Sequence, residues 1–450
     1  MVDLNFVKQD ILKGSSKVFS TKENISRIDH FKKYMHLNKS YIYKKQNSKI
    51  KNQEILKLMQ KQFLNYRKDW NNQPNQIIKK FSNKTINKID FKPLCVDLEI
   101  SSFCDLACPH CFREYIATPD KIMNIGFAKN LIDQIADLKI PSIKFNWRGE
   151  PLLHPKLPEI IDYAKSKGII ETIINTNATK LNTKNGHDLI KSGLDYLIYS
   201  FDGGKKETYE KYRPGRFSKN KFEDVYENIK NFHILKNNLK SKFPFTKIQM
   251  VLMKDTRKEI EEFYKNFYNI VDEVSVTQYS ERGGNIEVLD KNNRNIIIKY
   301  LKENNLPLDT PYMIEANKNI YISKKRKTCK QLFQRLMVTY DGKVGMCCVD
   351  WGAKHNLGYV SKNGFNSEKA EIEVMQNTRK NKKGFELLKF MKLPKVYNQP
   401  KKIVKKLQNI WKGSELKRIR NLHLNNNINK VDICKNCHSK DTFEWIPIDE

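Results

Sequence analysis

The chain has 450 residues, with 83 Lys and Arg against 50 Asp and Glu and a formal net charge of +33. With 39% hydrophobic and 11% aromatic residues it is too apolar for a disordered chain, and its length is that of two to three domains. No stretch approaches the roughly 18 uninterrupted apolar residues of a membrane span. The N-terminus, MVDLNFVKQDILKGSSK, lacks the apolar run and cleavage site of a signal peptide, so a cytoplasmic location is expected.

The basic surplus consists of 69 Lys and only 14 Arg, alongside Asn-rich runs such as LKNNLK and LNNNINK. Nucleic-acid sites add Arg and interleaved aromatics. The charge is therefore read as solvated surface rather than a nucleic-acid footprint.

Residues 1–88 are Lys-rich and lack Cys. Ile55, Leu56, Leu58, Met59, Phe63, Leu64 and Tyr66 recur at helical spacing, followed by Trp70 and an Asn/Pro break at 71–74. This segment reads as a helical extension packed on the next domain. From 89 to 290 six β-like runs alternate with helical ones: 94–100, 142–147, 169–176, 194–201, 245–253 and 273–279. The helical stretches between them are 127–138, 156–167, 183–192, 222–240 and 258–270. Such alternation predicts βα units around a parallel sheet, open or curled into a barrel. Residues 291–328 read as a connector with a helical patch near 291–303. Residues 329–450 read as a small cysteine-rich domain. It starts with a hairpin turning at Asp341 and Gly342 and carries a Lys-rich helical insertion near 361–405.

The nine cysteines lie at 95, 104, 108, 111, 329, 347, 348, 434 and 437. Clustered cysteines in a long chain without a secretion signal favour metal ligation over disulfides. CDLACPHC places Cys104, Cys108 and Cys111 in C-x3-C-x2-C spacing just past the first β-like run. In parallel α/β folds that edge of the sheet holds active sites. Three thiolates on one loop can hold three irons of a 4Fe–4S cube and leave the fourth open. A zinc site completed by His110, or inert buried thiols, are the alternatives. Cys95, in a strand pattern, reads as a small buried hydrophobe.

The octet and its surroundings resemble the radical S-adenosylmethionine (radical SAM) superfamily, whose hallmark is C-x3-C-x-aromatic-C after the first strand. His110 fills the aromatic place. WRGEPLLHP (147–155), NTNAT (175–179) and YSFDGG (199–204) with TYEKYRPG (208–215) match further family motifs in order. The resemblance implies a partial (β/α)6 TIM-like barrel. It also implies that Cys104, Cys108 and Cys111 ligate a 4Fe–4S cluster whose open iron chelates S-adenosylmethionine. Gly149, Glu150 and Pro151 would then meet the methionine amino group, Asn177 the ribose, Ser200 and Arg213 the carboxylate, and Gln249 to Leu252 the adenine. Arg148 stands where the family has a first Gly. Gln278, Tyr279 and Glu281 on the sixth run are the expected substrate contacts.

Cys329, Gly342 and Cys347 in C-x12-G-x4-C spacing, with the later C-x2-C pair Cys434 and Cys437, resemble the SPASM/twitch extension. That resemblance implies one auxiliary 4Fe–4S cluster on Cys329, Cys347, Cys434 and Cys437. Cys348 is the alternative to Cys347, and a four-cysteine zinc site is the rival. The expected activity is reductive cleavage of S-adenosylmethionine to a 5′-deoxyadenosyl radical, with oxidation or cross-linking of a peptide or protein side chain. Dehydrogenation of a sugar-derived molecule, RNA modification and a non-catalytic electron carrier are the alternatives. The expected partners are the substrate and an electron donor such as flavodoxin or ferredoxin.

Overall fold

The computed structural model describes residues 16–20, 25–81, 90–114, 116–278, 298–306, 310, 312–314, 320–380, 393, 395–435, 437, 439 and 442–447. The N-terminal segment opens with strand β1 (Ser16–Ser20) and continues with helices α1 (Arg27–Tyr34), α2 (Lys39–Gln46) and α3 (Asn52–Lys80). The βα series follows as β2 (Cys95–Leu98), α4 (Ile125–Asp137), β3 (Ser142–Lys144), α5 (Leu157–Ser166), β4 (Glu171–Thr176), α6 (Thr183–Ser192) and β5 (Tyr196–Ser200). It ends with α7 (Lys206–Tyr212), α8 (Phe222–Asn238), β6 (Phe245–Leu252), α9 (Ile260–Phe267) and β7 (Glu273–Gln278). The C-terminal region contributes β8 (Tyr312–Ile314), β9 (Ile320–Arg326), β10 (Arg335–Val338), β11 (Lys343–Gly345) and β12 (Gly358–Tyr359). Helices α10 (Ser367–Lys380), α11 (Leu407–Trp411), α12 (Ser414–Leu424) and α13 (Asp432–Lys435) precede the last strand, β13 (Phe443–Pro447).

Strands β2 to β7 lie side by side in chain order and are parallel throughout. β2 and β7 do not pair with each other, so the six-strand array is open among the described residues. Its two edges are extended. β10 adds in parallel to β2 and carries β11 and β12 beyond it, and β1 adds antiparallel to β7. The six strands and five helices sit within a few residues of the sequence expectation, because parallel strands covered on both faces read as continuous apolar runs. Local chemistry sets the helix ends. Asn124 and Asn182 accept from the backbone N–H groups of Phe127 and Asn185, and α6 stops at Gly193 with φ +81°.

Three expectations change. The extension is not wholly helical, since β1 pairs with β7. The predicted break at 71–74 is absent, because α3 runs through Pro74. Proline cannot supply the N–H that would reach the Trp70 carbonyl one turn back. The Gln334 side-chain amide donates to that carbonyl instead, and the neighbouring Gln73 amide donates to the carbonyls of Lys92 (3.0 Å) and Phe333 (2.7 Å). The expected connector also does more than connect. β8 and β9 form an antiparallel sheet with β13 from the chain's tail. In the expected insertion near 361–405, α10 is helical, and 381–392 lie outside the described residues.

The extension closes one end of the sheet. Its Phe31, Met35, Ile55, Met59, Phe63 and Tyr66 form a core with Leu94, Ile170, Ile173, Tyr196, Phe243 and Phe245, which stand at the N-terminal ends of the barrel strands or just before them. The rings of Phe31 and Phe63 stack at 4.5 Å. Among the described residues no helix is long and apolar enough to cross a membrane. Because Phe63 is fully buried in this core, Phe63→Ala should cost roughly 3–5 kcal/mol in denaturant unfolding. A loss below about 1 kcal/mol would show that the extension only rests on the surface.

Candidate functional site

The C-terminal ends of β2 to β6 face one edge of the sheet, and the candidate residues follow those ends. Cys104, Cys108 and Cys111 occupy the loop after β2. Gly149 to Pro151 follow β3, Asn177 follows β4, Ser200 ends β5, and Gln249 and Leu252 belong to β6. Two supports fix the cysteine loop. The Ala107 N–H donates to the Pro214 carbonyl at 2.8 Å, and Leu106 bridges Gly215. The Cys111 N–H donates to the Cys108 carbonyl at 2.9 Å, which tightens the turn between the last two cysteines.

The three thiols are close enough to act on one another electrostatically. Burial pushes the Cys104 thiol up to about 12, with Glu150 and Cys111 adding to the shift. Burial also drives Cys108 well above the ordinary thiol range, against the pull of Arg213. Buried thiols that would have to ionise together need a cationic partner. A cluster iron meets that need, and the donor set fits an iron–sulfur cube. Among the described residues no three Cys, His, Asp or Glu side chains converge on a single-ion site. A cube of four irons is gripped from its corners, so its ligands need not converge on one point.

The turn after β3 is pressed against the base of the cysteine loop. Gly149 has φ +69°, and a Cβ there would stand 2.5 Å from the carbonyl oxygens of Ser101 and Phe103. Only glycine fits that approach. The Glu150 N–H donates to the Phe103 carbonyl at 2.7 Å. The Glu150 carboxylate is buried and accepts from the Leu152 N–H (3.0 Å), the Thr176 hydroxyl (2.7 Å) and the Asn177 N–H (2.7 Å). Burial pushes it up to about 7 against those three donors. A cationic partner at this position would stabilise its ionised form. Pro151 starts the short 3-10 turn that follows.

Arg148 replaces the family glycine without filling the site. Its guanidinium turns back to the buried Glu99 carboxylate, with Nη2 donating to Oε2 at 2.7 Å and Nε to Oε1. The same carboxylate accepts the Tyr340 N–H at 3.2 Å, so the pair ties the β3 turn to the C-terminal region.

Asn177 is placed at the site but is engaged. Its amide donates to Asp105 in the cysteine loop at 2.8 Å, and its oxygen accepts from the Thr179 N–H and hydroxyl. A ribose contact from this side chain would need one of those bonds to exchange. Ser200 is half-buried and in register with Gln249. The Gln249 carbonyl accepts the Phe201 N–H at 3.0 Å, and the Val251 N–H donates to Asp202 at 2.7 Å. Part of the expected adenine edge is therefore already used, and the Leu252 side chain is buried. Gln278 ends β7, while Tyr279 and Glu281 lie outside the described residues.

Asp202 is the organising residue that sequence reasoning passed over, although it stands inside the YSFDGG motif. Its Oδ2 accepts from Arg213 Nε (2.7 Å) and Nη2 (2.6 Å) and lies 3.2 Å from His110 Nε2. Burial alone would raise this carboxyl, but Arg213 and His110 hold it far below the usual range. His110 Nδ1 is buried with no partner.

In the C-terminal region Cys329, Cys347, Cys434 and Cys437 line one small pocket with Arg326, Leu332, Met346 and His423. Cys348 is not among its lining residues, and its thiol donates to Gln331 Oε1 at 3.2 Å. Cys348 nonetheless acts electrostatically on the Cys329 and Cys437 thiols, so both adjacent cysteines stand near the other three. Burial raises the Cys329 thiol to about 12 and drives Cys347 and Cys434 well upward. Four cysteines lining one small pocket again fit a cluster. Cys95 is buried in β2, its thiol 3.4 Å from Asp97, as expected of a packed cysteine.

Two tryptophans connect the halves. Trp147 Nε1–H donates to the Cys348 carbonyl at 3.1 Å, and Trp351 packs edge-on against Phe112, beside Cys111. Since Asp202 is the counter-charge of a buried arginine, Asp202→Asn should cost roughly 3–5 kcal/mol in unfolding and weaken S-adenosylmethionine binding by calorimetry. A variant within about 1 kcal/mol of the parent would show that the pair does not hold Arg213 in place.

Residues 98–267 match the Radical SAM superfamily model, and residues 329–386 match SPASM, an iron–sulfur cluster-binding domain. Among curated relatives, GTP 3′,8-cyclase of Chlorobaculum tepidum is 31% identical over 114 residues, which are 25% of this chain and 34% of that protein. Fe-coproporphyrin III synthase of Methanosarcina barkeri is 34% identical over 125 residues, 28% of this chain and 30% of that protein. PqqA peptide cyclase of Xanthomonas euvesicatoria is 33% identical over 85 residues, 19% of this chain and 23% of that protein. The matched stretch spans about a third or less of each of these relatives. The cofactors of the two matched domains are S-adenosylmethionine with a 4Fe–4S cluster and auxiliary iron–sulfur. The chain belongs to the radical SAM superfamily and carries a SPASM iron–sulfur cluster-binding domain C-terminal to its βα array.

Proposed function

We propose that this chain is an oxidoreductase-type radical SAM enzyme that abstracts a hydrogen atom from a peptide or protein side chain and oxidises or cross-links it. The observation that carries this reading is the four-cysteine pocket of Cys329, Cys347, Cys434 and Cys437, attached to the sheet of the βα array through β10. A centre closed by four protein thiolates has no open iron for S-adenosylmethionine, but it can accept the electron left on a substrate radical. The likeness to a peptide cyclase favours a peptide substrate. The cyclase and synthase relatives are named for a nucleotide and a porphyrin, so the barrel match does not by itself choose the substrate class.

When bound, the barrel cluster and S-adenosylmethionine supply reductive cleavage and a 5′-deoxyadenosyl radical. In this reading Cys104, Cys108 and Cys111 hold the cluster. Glu150 receives the methionine ammonium, its buried carboxylate being worth most against a positive partner. Arg213, anchored by Asp202, presents its remaining N–H groups to the methionine carboxylate. The Gly149 backbone lets the two loops approach. Trp351, from the C-terminal region, packs against Phe112 beside Cys111 and so covers part of the cysteine loop.

Anaerobically reconstituted protein should carry about eight irons per chain as two cubes. Stoichiometric zinc with little iron would sink the proposal. Cys108→Ala should abolish 5′-deoxyadenosine formation, and continued formation would remove the three-cysteine assignment. The double variant Cys434→Ala, Cys437→Ala should keep about four irons and still make 5′-deoxyadenosine, while oxidised peptide fails to accumulate. Normal yields of both would remove the electron-acceptor role. Tight RNA binding that fades steeply between roughly 50 and 200 mM salt would favour an RNA substrate instead.

A further inference from the structure

His423 and Arg326 border the four-cysteine pocket, and no sequence motif marks either of them. His423 sits on α12 and is almost fully buried. Its two ring nitrogens face two different cysteines. The Cys329 backbone N–H donates to Nδ1 at 3.4 Å, and Nε2 lies 3.4 Å from Cys434 Sγ. A backbone N–H can only donate, so Nδ1 is the acceptor. A neutral ring then carries its proton on Nε2 and donates it to the Cys434 sulfur.

Arg326, on β9, approaches the same cysteines from the other sheet. Nη1 donates to the Cys437 carbonyl at 3.0 Å and Nη2 donates to the Cys434 carbonyl. The guanidinium stacks 4.3 Å over the Phe443 ring, and its Nε is buried with no partner among the described residues. Among the described residues no carboxylate pairs with it. Asp350, whose charge acts on Cys347 and Cys434, accepts from the backbone N–H groups of Lys354 (2.7 Å) and His355 (3.1 Å) rather than from Arg326. The guanidinium charge therefore lies beside the pocket with no carboxylate counter-ion among the described residues.

We infer that His423 and Arg326 are positioning residues of the auxiliary centre and bias it toward its reduced state. This rests on the reading that the four cysteines hold a 4Fe–4S cluster. On reduction one electron enters and no bond forms or breaks, so the thiolate-ligated centre becomes one charge more negative. An N–H donor on a ligating sulfur and a nearby cation both stabilise the more negative state, and hydrogen bonds to sulfur are among the terms that set such potentials. The two residues would thus make the centre a better acceptor for an electron from a substrate radical.

The test uses reconstituted full-length chains, with iron counted and the midpoint potential read by EPR-monitored titration with dithionite. The auxiliary signal is the one that S-adenosylmethionine leaves unchanged. At about eight irons per chain, His423→Leu and Arg326→Met should each shift reduction at least tenfold toward the oxidised state, about 59 mV lower for one electron. His423→Gln, which restores an N–H, should fall between His423→Leu and the parent. Potentials within twofold of the parent at full iron would overturn the inference while leaving the cluster assignment intact. A parent chain with only about four irons would instead overturn the assignment on which it rests. Should His423→Leu fail to hold the auxiliary irons, His423→Gln and Arg326→Met decide the matter by the same criterion.

Discussion

Strand β2 is hydrogen-bonded on both sides, to β3 within the βα array and to β10 from the C-terminal region. An unclosed six-strand array leaves its first strand as an open edge, and an exposed edge invites unwanted pairing. β10 fills that edge. Charge reinforces the contact: Asp97 on β2 pairs with Arg335 on β10 at 2.9 Å, and Glu99 just past β2 accepts the Tyr340 N–H. The strand that carries the cysteine loop is therefore held by both halves of the chain. Any shift of the C-terminal region against the array would disturb the loop's base, so the two cysteine sets are mechanically coupled through one strand.

Around that strand the site concentrates buried charge. Glu99 with Arg148, Asp202 with Arg213 and Glu150 with its three donors all lie within the protein. Buried ion pairs contribute little net stability once desolvation is counted. They do fix geometry, since each partner leaves the other stranded if it moves. This accounts for Arg148 in the glycine position: its side chain leaves the site entirely and serves as a strut between the β3 turn, Glu99 and the C-terminal region. The turn keeps its close approach to the cysteine loop because the next residue, Gly149, still has no side chain.

The βα array was legible because its strands are apolar runs and its helices have capped, periodic faces. The placements of Cys104, Cys108, Cys111, Gly149, Glu150, Asn177 and Arg213 at one edge were legible through the motifs that contain them. What local pattern could not reveal was non-local pairing. Nothing in SKVFS announces a partner at 273–277, and nothing in RLMV announces β2. Pro74 misled because its cost is met by Gln334, a residue 260 positions away. Asp202 was within a quoted motif and went unassigned because motif spacing names the ligand contacts, not what holds them. His423 carries no sequence signal at all: a histidine on the buried face of a helix reads the same whether it packs or donates to sulfur.

The two ends of the sheet divide the physical work. At the N-terminal ends of the strands the extension supplies aromatic and aliphatic packing, with Phe31, Phe63, Tyr196 and Phe245 in one core. Burial of those side chains is favourable, and the charges buried beside them are paired: Glu171 with Arg27 and the Tyr66 hydroxyl, and Lys165 with Asp195. At the C-terminal ends the buried polar groups include thiols as well as carboxylates and guanidinium groups, and each demands a partner. A site of that kind is unstable ground for a fold unless stability is supplied elsewhere. The closed aromatic end supplies it, which gives the extension a role that its Lys-rich surface conceals. It lets the opposite edge hold buried thiols and a carboxylate raised to about 7, groups whose ionised forms a cationic partner would stabilise.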